Sequence, residues 1–173
     1  MKSPYYAYIA SPLFHPEDLK TIQFIEDQLD HYGIPYFSPR KEGGDLAAVP
    51  PEERQAAAKK MFDDNDHAIR NCNLMIVNLD PTAKYPTPVS DLGTVWEMGM
   101  AYTNKVGGGS LAQKIITVGT KGQKCNLMLA FSTDCHLTSL DRFSDFMWHW
   151  LDGNQESYEQ ICERMHRPHG EMD

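Results

Sequence analysis

The chain predicts an α/β fold: a single domain, doubly wound about a central parallel sheet of about five strands, with helices on both faces. Three observations carry that expectation. Short β-prone runs alternate with helical stretches along most of the 173 residues. The run Leu74–Leu79 (LMIVNL) is almost continuously apolar, as a strand buried on both faces reads. A strand, a helix and a second strand follow one another near the start, and such a unit implies parallel pairing with a right-handed crossover. The length suits one domain with a sizeable core, and the segment of about 141–173 reads as a helical extension of it.

Tyr5–Ala10 (YYAYIA) is the expected first strand, ended by Ser11-Pro12-Leu13-Phe14. His15-Pro16-Glu17-Asp18 opens a helix, with proline near its first position and acids in its first turn. Leu19, Ile22, Ile25 and Leu29 supply its apolar stripe to about Tyr32, and Gly33 stops it. Ile34–Phe37 is the second strand. Ser38–Pro50 reads as a loop, either a lid over a ligand or a disordered surface excursion. A helix runs from Pro51 to about Asn71. Its acids Asp63, Asp64 and Asp66 point in different directions, so a solvated face fits them better than a cation site.

Asp80-Pro81 ends the strand Leu74–Leu79, and the loop Thr82–Ser90 leads to the next helix start. That helix fades by Asn104-Lys105. Val106–Ser110 is glycine-rich but lacks a phosphate-binding pattern. Lys114–Val118 is a strand, Thr120–Lys124 a loop, and Asn126-Leu127-Met128-Leu129 a short helical turn. Cys135–Leu140 is a last short strand. Asp141–Leu151 is amphipathic and aromatic, suited to packing on the sheet or on a neighbouring subunit. Asn154–Met165 forms the final helix. His166 and His169 lie in a polar tail, where solvation outweighs metal binding.

Composition narrows the function classes. A formal charge of −8 argues against a nucleic-acid binder. No apolar run approaches a membrane span. The cysteines, Cys72, Cys125, Cys135 and Cys162, form no C-x-x-C pair. With no leader-like segment in view, free thiols in a reducing, cytoplasmic compartment are expected.

The most informative stretch is Asp91-Leu-Gly-Thr-Val-Trp-Glu-Met-Gly-Met-Ala101. Asp91 stands where an N-cap stands, and Gly93 allows a tight entry. Gly93, Glu97 and Ala101 are spaced i, i+4, i+8 and share one helix face. Small neighbours leave room for a ligand above the Glu97 carboxylate. Read alone, the stretch is better described as a helix packed closely on a sheet, with Glu97 at its solvent edge. In open α/β sheets ligands bind outside the carboxyl ends of the strands. Ser11–Phe14, Asp80 and Asp91 all fall at that edge.

Taken together, Tyr8-Ile-Ala-Ser-Pro-Leu-Phe14, Leu74–Leu79, Asp91-x-Gly-Thr-x-x-Glu97-x-Gly-x-Ala101 and Asn126-Leu-Met resemble the nucleoside 2-deoxyribosyltransferase family. The likeness runs from about Tyr5 to Met128 in the same order, and the Asp-x-Gly-Thr-x-x-Glu piece is its most specific part. The wider superfamily also holds 2'-deoxynucleoside 5'-monophosphate N-glycosidases. The resemblance implies a Rossmann- or flavodoxin-like domain that needs no cofactor or metal and acts on nucleosides and free nucleobases. It implies that Glu97 attacks C1' and expels the base, and that a second base collects the deoxyribosyl group. A carboxylate held close to C1' suits an oxocarbenium-like transition state, as in retaining glycosidases.

By the same resemblance Tyr8 orients Glu97, and Asp91 accepts hydrogen bonds from a sugar hydroxyl. Asn126 reaches into a neighbouring subunit's site, which implies a homo-oligomer (a dimer or a trimer of dimers). Ser11, Phe14 and Gly93 belong to the substrate-binding set. Each has a plainer role available: Tyr8 in the core, Asp91 as a cap, Asn126 in a turn. The monophosphate glycosidases place serines where Asp91 and Asn126 stand. A carboxylate at Asp91 repels a phosphate, which favours a free nucleoside donor.

One position departs from the family. An aspartate commonly stands at the place taken here as Asn73, near the nucleobase, and an amide cannot exchange a proton as a carboxylate does. Leaving-group activation then rests on water, Asp80, Asp66 or the base itself. The loop Ala83–Ser90 and the C-terminus are also longer than in the family, and a terminal carboxylate completes a site in some transferases, which raises the same question for Asp173. Deoxyribosyl transfer between bases is the leading expectation. Hydrolysis of nucleosides or modified nucleotides, with water as acceptor, is the second. A non-catalytic nucleoside or nucleotide binder is the third.

Overall fold

A computed structural model describes residues 3–81, 90–108, 113–119, 126–153 and 156–166. The expectations placed on Ala83–Val89, Thr120–Lys124, Cys125, His169 and Asp173 lie outside the described residues.

Among the described residues five strands form one all-parallel sheet: β1 (Ala7–Ala10), β2 (Tyr36–Phe37), β3 (Leu74–Asn78), β4 (Lys114–Val118) and β5 (Cys135–Leu137). Their order is β2-β1-β3-β4-β5. The chain moves one way from β1 to β2, then returns past β1 to reach β3. The right-handed crossover rule therefore puts helices on opposite faces and opens a switch point between β1 and β3. There Tyr8 pairs in register with Met75, and Ala10 with Val77.

Side chains alternate between two cores, as the two-residue strand period requires. Ala7, Ile9, Leu74, Ile76, Ile116 and Val118 face α1 (Pro16–His31), α6 (Leu140–Trp148) and α7 (Tyr158–Met165). Tyr8, Ala10, Met75, Val77 and Ile115 face α3 (Arg54–Asn71) and α4 (Leu92–Val106).

Local sequence explains the helix ends. His15 caps α1 in a capping box with Asp18, Pro16 opens the helix, and Gly33 beyond it has φ of 62°. Asp91 caps α4, and Asn126 caps the short α5 (Leu127–Ser132).

Several expected boundaries shift. Leu19 is exposed, because Asp18 turns inward to close the capping box and the buried stripe is Ile22, Ile25 and Leu29. The first two strands are shorter than their apolar runs. The expected loop Ser38–Pro50 contains a helical turn, α2 (Pro39–Glu42), and a 3₁₀ turn at Leu46–Ala48. The fully buried Glu26 carboxylate on α1 holds α2 in place. It accepts from Ser38 Oγ at 2.7 Å and from Arg40, and pairs with Lys41 at 3.3 Å. After α6 the chain widens into a π-helical turn, His149–Gly153.

The acids of α3 are paired along the helix as expected of a solvated face: Asp63 with Lys59, Asp64 with Lys60, Asp66 with Arg70. Among the described residues no group of three His, Cys, Asp or Glu is placed to hold a metal. None of their helices is long and apolar enough to cross a membrane.

Candidate active site

The candidate site is assembled from β1 and α4. Tyr8 lies at mid-strand, and its ring points into the α3/α4 core. Phe37 of β2 lies parallel to it, with centroids 5.6 Å apart and planes 5° apart. This stacking fixes the ring, and the phenol extends beyond it to donate a 2.6 Å hydrogen bond to Glu97 Oε1. The two residues predicted as the catalytic pair are thus in direct contact.

Glu97 sits in the second turn of α4 and is half-buried. Burial pushes its acid constant up to about 7, the Tyr8 hydrogen bond opposes this, and the charge of Asp91 adds to it. The Tyr8 phenol is raised far above its ordinary value by its own burial and by the Glu97 charge, so it stays protonated as a donor. The arrangement is a carboxylate with one oriented donor, poised between its two charge states near neutrality.

Asp91 is buried at the start of α4, where Oδ2 accepts from the Thr94 amide at 3.0 Å. Gly93 is needed beside it: a Cβ there would stand 2.9 Å from Asp91 Oδ2. Asp91 and Glu97 share the first two turns of one helix, which is why one carboxylate feels the other.

The exits of β1 and β3 are tied together. Asn78 Nδ2 donates to Ser11 Oγ at 3.0 Å, and Asn78 Oδ1 accepts from the Asp80 amide at 3.0 Å. Ser90 Oγ then donates to the Leu79 carbonyl at 2.7 Å and brings the chain back to Asp91. Ser11 is buried in this tie, while Phe14, a few residues on, is 61 % exposed. Phe14 therefore stands at the rim of the carboxyl edge.

Asn126 is exposed, and its side chain accepts from the Met128 amide at 2.9 Å as the α5 cap. Leu127, Met128 and Phe131 on α5 are exposed apolar side chains, as are Leu92 and Trp96 on α4. Phe62 of α3 extends this surface by packing its ring 5.6 Å from Trp96.

Asn73 precedes β3 at the amino edge of the sheet. Its Oδ1 accepts from the Tyr6 amide at 2.8 Å, and its Nδ2 donates to the Pro4 carbonyl at 2.9 Å. Both ends of the amide are used to fasten the start of β1. A second amide turns toward the core that holds Tyr8. Asn65 shares a face of α3 with Ala68, Ile69 and Cys72, at i+3, i+4 and i+7, and those three pack in the core that holds Tyr8 and Met98. Its Oδ1 is buried with no hydrogen-bond partner among the described residues. Helical spacing could have shown that Asn65 faces inward; the run of acids around it drew attention outward instead.

Comparison with known proteins agrees with this architecture. A chain described as a 2-deoxyribosyltransferase from Bacillus psychrosaccharolyticus superposes with a TM-score of 0.57 at 24% identity, over 81% of this chain and 90% of that one. A conserved protein from Enterococcus faecalis V583 aligns at 19% identity with a TM-score of 0.48, over 94% of this chain and 100% of the other. No curated protein matches in sequence. The pattern of the family described as Nucleoside 2-deoxyribosyltransferase matches residues 7–128, well over half of the chain and the whole path from β1 through α4 to the start of α5. The chain belongs to the nucleoside 2-deoxyribosyltransferase family.

Proposed function

We propose that this protein transfers 2-deoxyribose between nucleobases through a covalent glycosyl intermediate on Glu97. The observation that carries the reading is the 2.6 Å contact between Tyr8 Oη and Glu97 Oε1 in the family's matched segment. Glu97 attacks C1' with its free carboxylate oxygen, and the bond to the departing base breaks. Tyr8 holds the other oxygen and fixes the angle of attack. The acceptor base then displaces Glu97 from C1'. Two inversions give retention at the anomeric carbon.

Asp91 accepts from a hydroxyl of the sugar and disfavours a 5'-phosphate by like charge. Asn65 supplies the unsatisfied amide that reads the base, in place of Asn73. A second copy of the chain covers the exposed apolar surface of α4 and α5 and brings Asn126 to its neighbour's sugar. Ser11, Gly93 and Phe14 shape the entrance at the carboxyl edge.

The test is incubation of the purified protein with each 2'-deoxynucleoside and each 5'-monophosphate, with and without adenine, read by chromatography. New deoxyadenosine from a deoxynucleoside donor is the expected result. Free base alone would mean that water is the acceptor, and silence on every donor would leave a binding protein. Glu97→Ala is expected to lose at least about 10³-fold in rate. Undiminished turnover by that variant would remove Glu97 from the mechanism.

A further inference from the structure

We propose that a cleft at the amino edge of the sheet binds a small organic cation with a trimethylammonium head, of the choline class. Tyr5 and Tyr32 give it aromatic walls and Asp152 supplies the counter-charge. The cleft lies at the end of the sheet opposite the candidate active site, and the inference does not rest on the transferase reading.

Three parts of the chain meet there. Ser3, Pro4 and Tyr5 lead into β1, α1 runs out at His31 into Tyr32 and Gly33, and the π-helical turn His149–Gly153 follows α6. Between them is a cleft of about 900 Å³, a size that suits a small-molecule site. A π-helical turn carries one extra residue and recurs at functional sites. Here the turn divides its side chains. Trp150 stays packed on Tyr5, Phe146 and Tyr158, with ring centroids 4.6, 5.8 and 5.2 Å away. Leu151 and Asp152 line the cleft.

The aromatic walls are held by their neighbours. Trp150 supports Tyr5, and the Tyr32 ring meets the His31 ring edge-on, with centroids 4.7 Å apart and planes 83° apart. The negative face of such a ring attracts a cation. Asp152 is exposed and has no ion-pair partner among the described residues. No lysine or arginine lines the cleft, so an anion finds no partner in it.

The hydrogen-bonding groups of the lining select among cations. Ser3 Oγ accepts from the Tyr5 amide at 3.1 Å, and the Pro4 carbonyl accepts from Asn73 Nδ2 at 2.9 Å. The Gly33 and Ile34 amides donate to the Asp30 and Leu29 carbonyls. A guanidinium or a primary ammonium brings several N–H donors, and burying them with so few free acceptors is costly. A fully methylated nitrogen carries the charge without a donor. It asks only for aromatic faces and one carboxylate.

The test titrates the full, folded chain with choline chloride at constant ionic strength, followed by calorimetry and by backbone amide NMR. Saturable binding below about 10 mM is expected, with shifts centred on Tyr5, Tyr32 and Asp152. Dimethylbutanol, in which carbon replaces the charged nitrogen of choline, is expected not to bind. Tyr32→Leu should weaken choline about 2- to 5-fold while Tyr32→Phe leaves it unchanged. Asp152→Asn should weaken it about 1.5- to 5-fold. Circular dichroism confirms that the variants are folded. Phosphatidylcholine vesicles then assign the source: vesicles that sediment the chain and release it to choline mark a lipid headgroup, and vesicles that leave it in solution mark a free molecule. Three results would overturn the proposal: no saturable binding in that range, equal binding of dimethylbutanol, or shifts centred elsewhere on the molecule.

Discussion

Tyr8 and Glu97 stand 89 positions apart in sequence, and their side chains meet at 2.6 Å. The contact exists because the sheet sets β1 beside β3 while α4, leaving β3, folds back over the strand it has just passed. Neither residue can adopt the geometry alone: the strand supplies the donor's direction and the helix supplies the carboxylate's depth.

Removing the donor tests the first half of this contact. Tyr8→Phe keeps the ring stacked on Phe37 but deletes the hydrogen bond that lowers Glu97. A hydrogen bond to a charged group is worth about 1.5–3 kcal/mol, or about 10- to 10²-fold in rate. The wild-type rate is expected to rise with pH through about 7, as Glu97 ionises. The Tyr8→Phe profile should rise at higher pH. An unmoved profile would show that Tyr8 does not tune Glu97.

Glu97 also makes a prediction about stability. Its folded acid constant, about 7, lies above that of an unfolded glutamate, so the folded state holds its proton more tightly. The associated stability is present below pH about 4 and lost as pH rises through about 7. Glu97→Gln is therefore expected to be inactive yet more stable than wild type at pH 8, by up to about 3 kcal/mol. At pH 4 the two should be nearly equal. Thermal melts across that range read the crossover directly.

The two amides separate cleanly. Asn73→Ala leaves the Tyr6 amide and the Pro4 carbonyl without their partner, for a loss of about 1–3 kcal/mol in stability and no change in base preference. Asn65→Ala deletes a side chain whose oxygen bonds to nothing described. It is expected to change KM and base preference with little change in melting temperature. A swap of these phenotypes would return base recognition to Asn73.

Arg40 guards a fully buried charge. Burial alone would push Glu26 up, but hydrogen bonds from Arg40 and Ser38 and the charge of Lys41 hold it below the usual carboxylate value. Arg40→Ala is expected to cost about 1.5–3 kcal/mol, the range for a hydrogen bond to a charged group, because Ser38 and Lys41 still face the Glu26 carboxylate. Because the carboxyl constant is depressed, the stability it brings is present above the unfolded glutamate value and fades as pH falls through the folded one. Denaturant melts at pH 7 and at pH 3 should show the Arg40→Ala deficit shrinking at the lower pH.

Much of this was legible in the sequence because periodicity and caps are local signals. The apolar run Leu74–Leu79, Pro16, Gly33 and Asp91 each announce themselves within a few residues. The direct contact of Tyr8 with Glu97 came through resemblance and not through spacing, since no local pattern joins positions so far apart. Asn73 looks available in the sequence, as a polar residue beside an apolar strand, while its partners, Pro4 and Tyr6, lie at the other end of a long crossover. The Ser38–Pro50 segment looked unstructured because its anchor, Glu26, belongs to an earlier helix. Glu26 carries no mark of being buried except the basic residues it later meets.

The strand order leaves β2 and β5 at the two margins of the sheet, with two and three residues respectively. So short a margin offers a passing chain almost no ladder of free amides and carbonyls on which to extend the sheet. The molecule is thereby shielded from runaway polymerisation through its backbone.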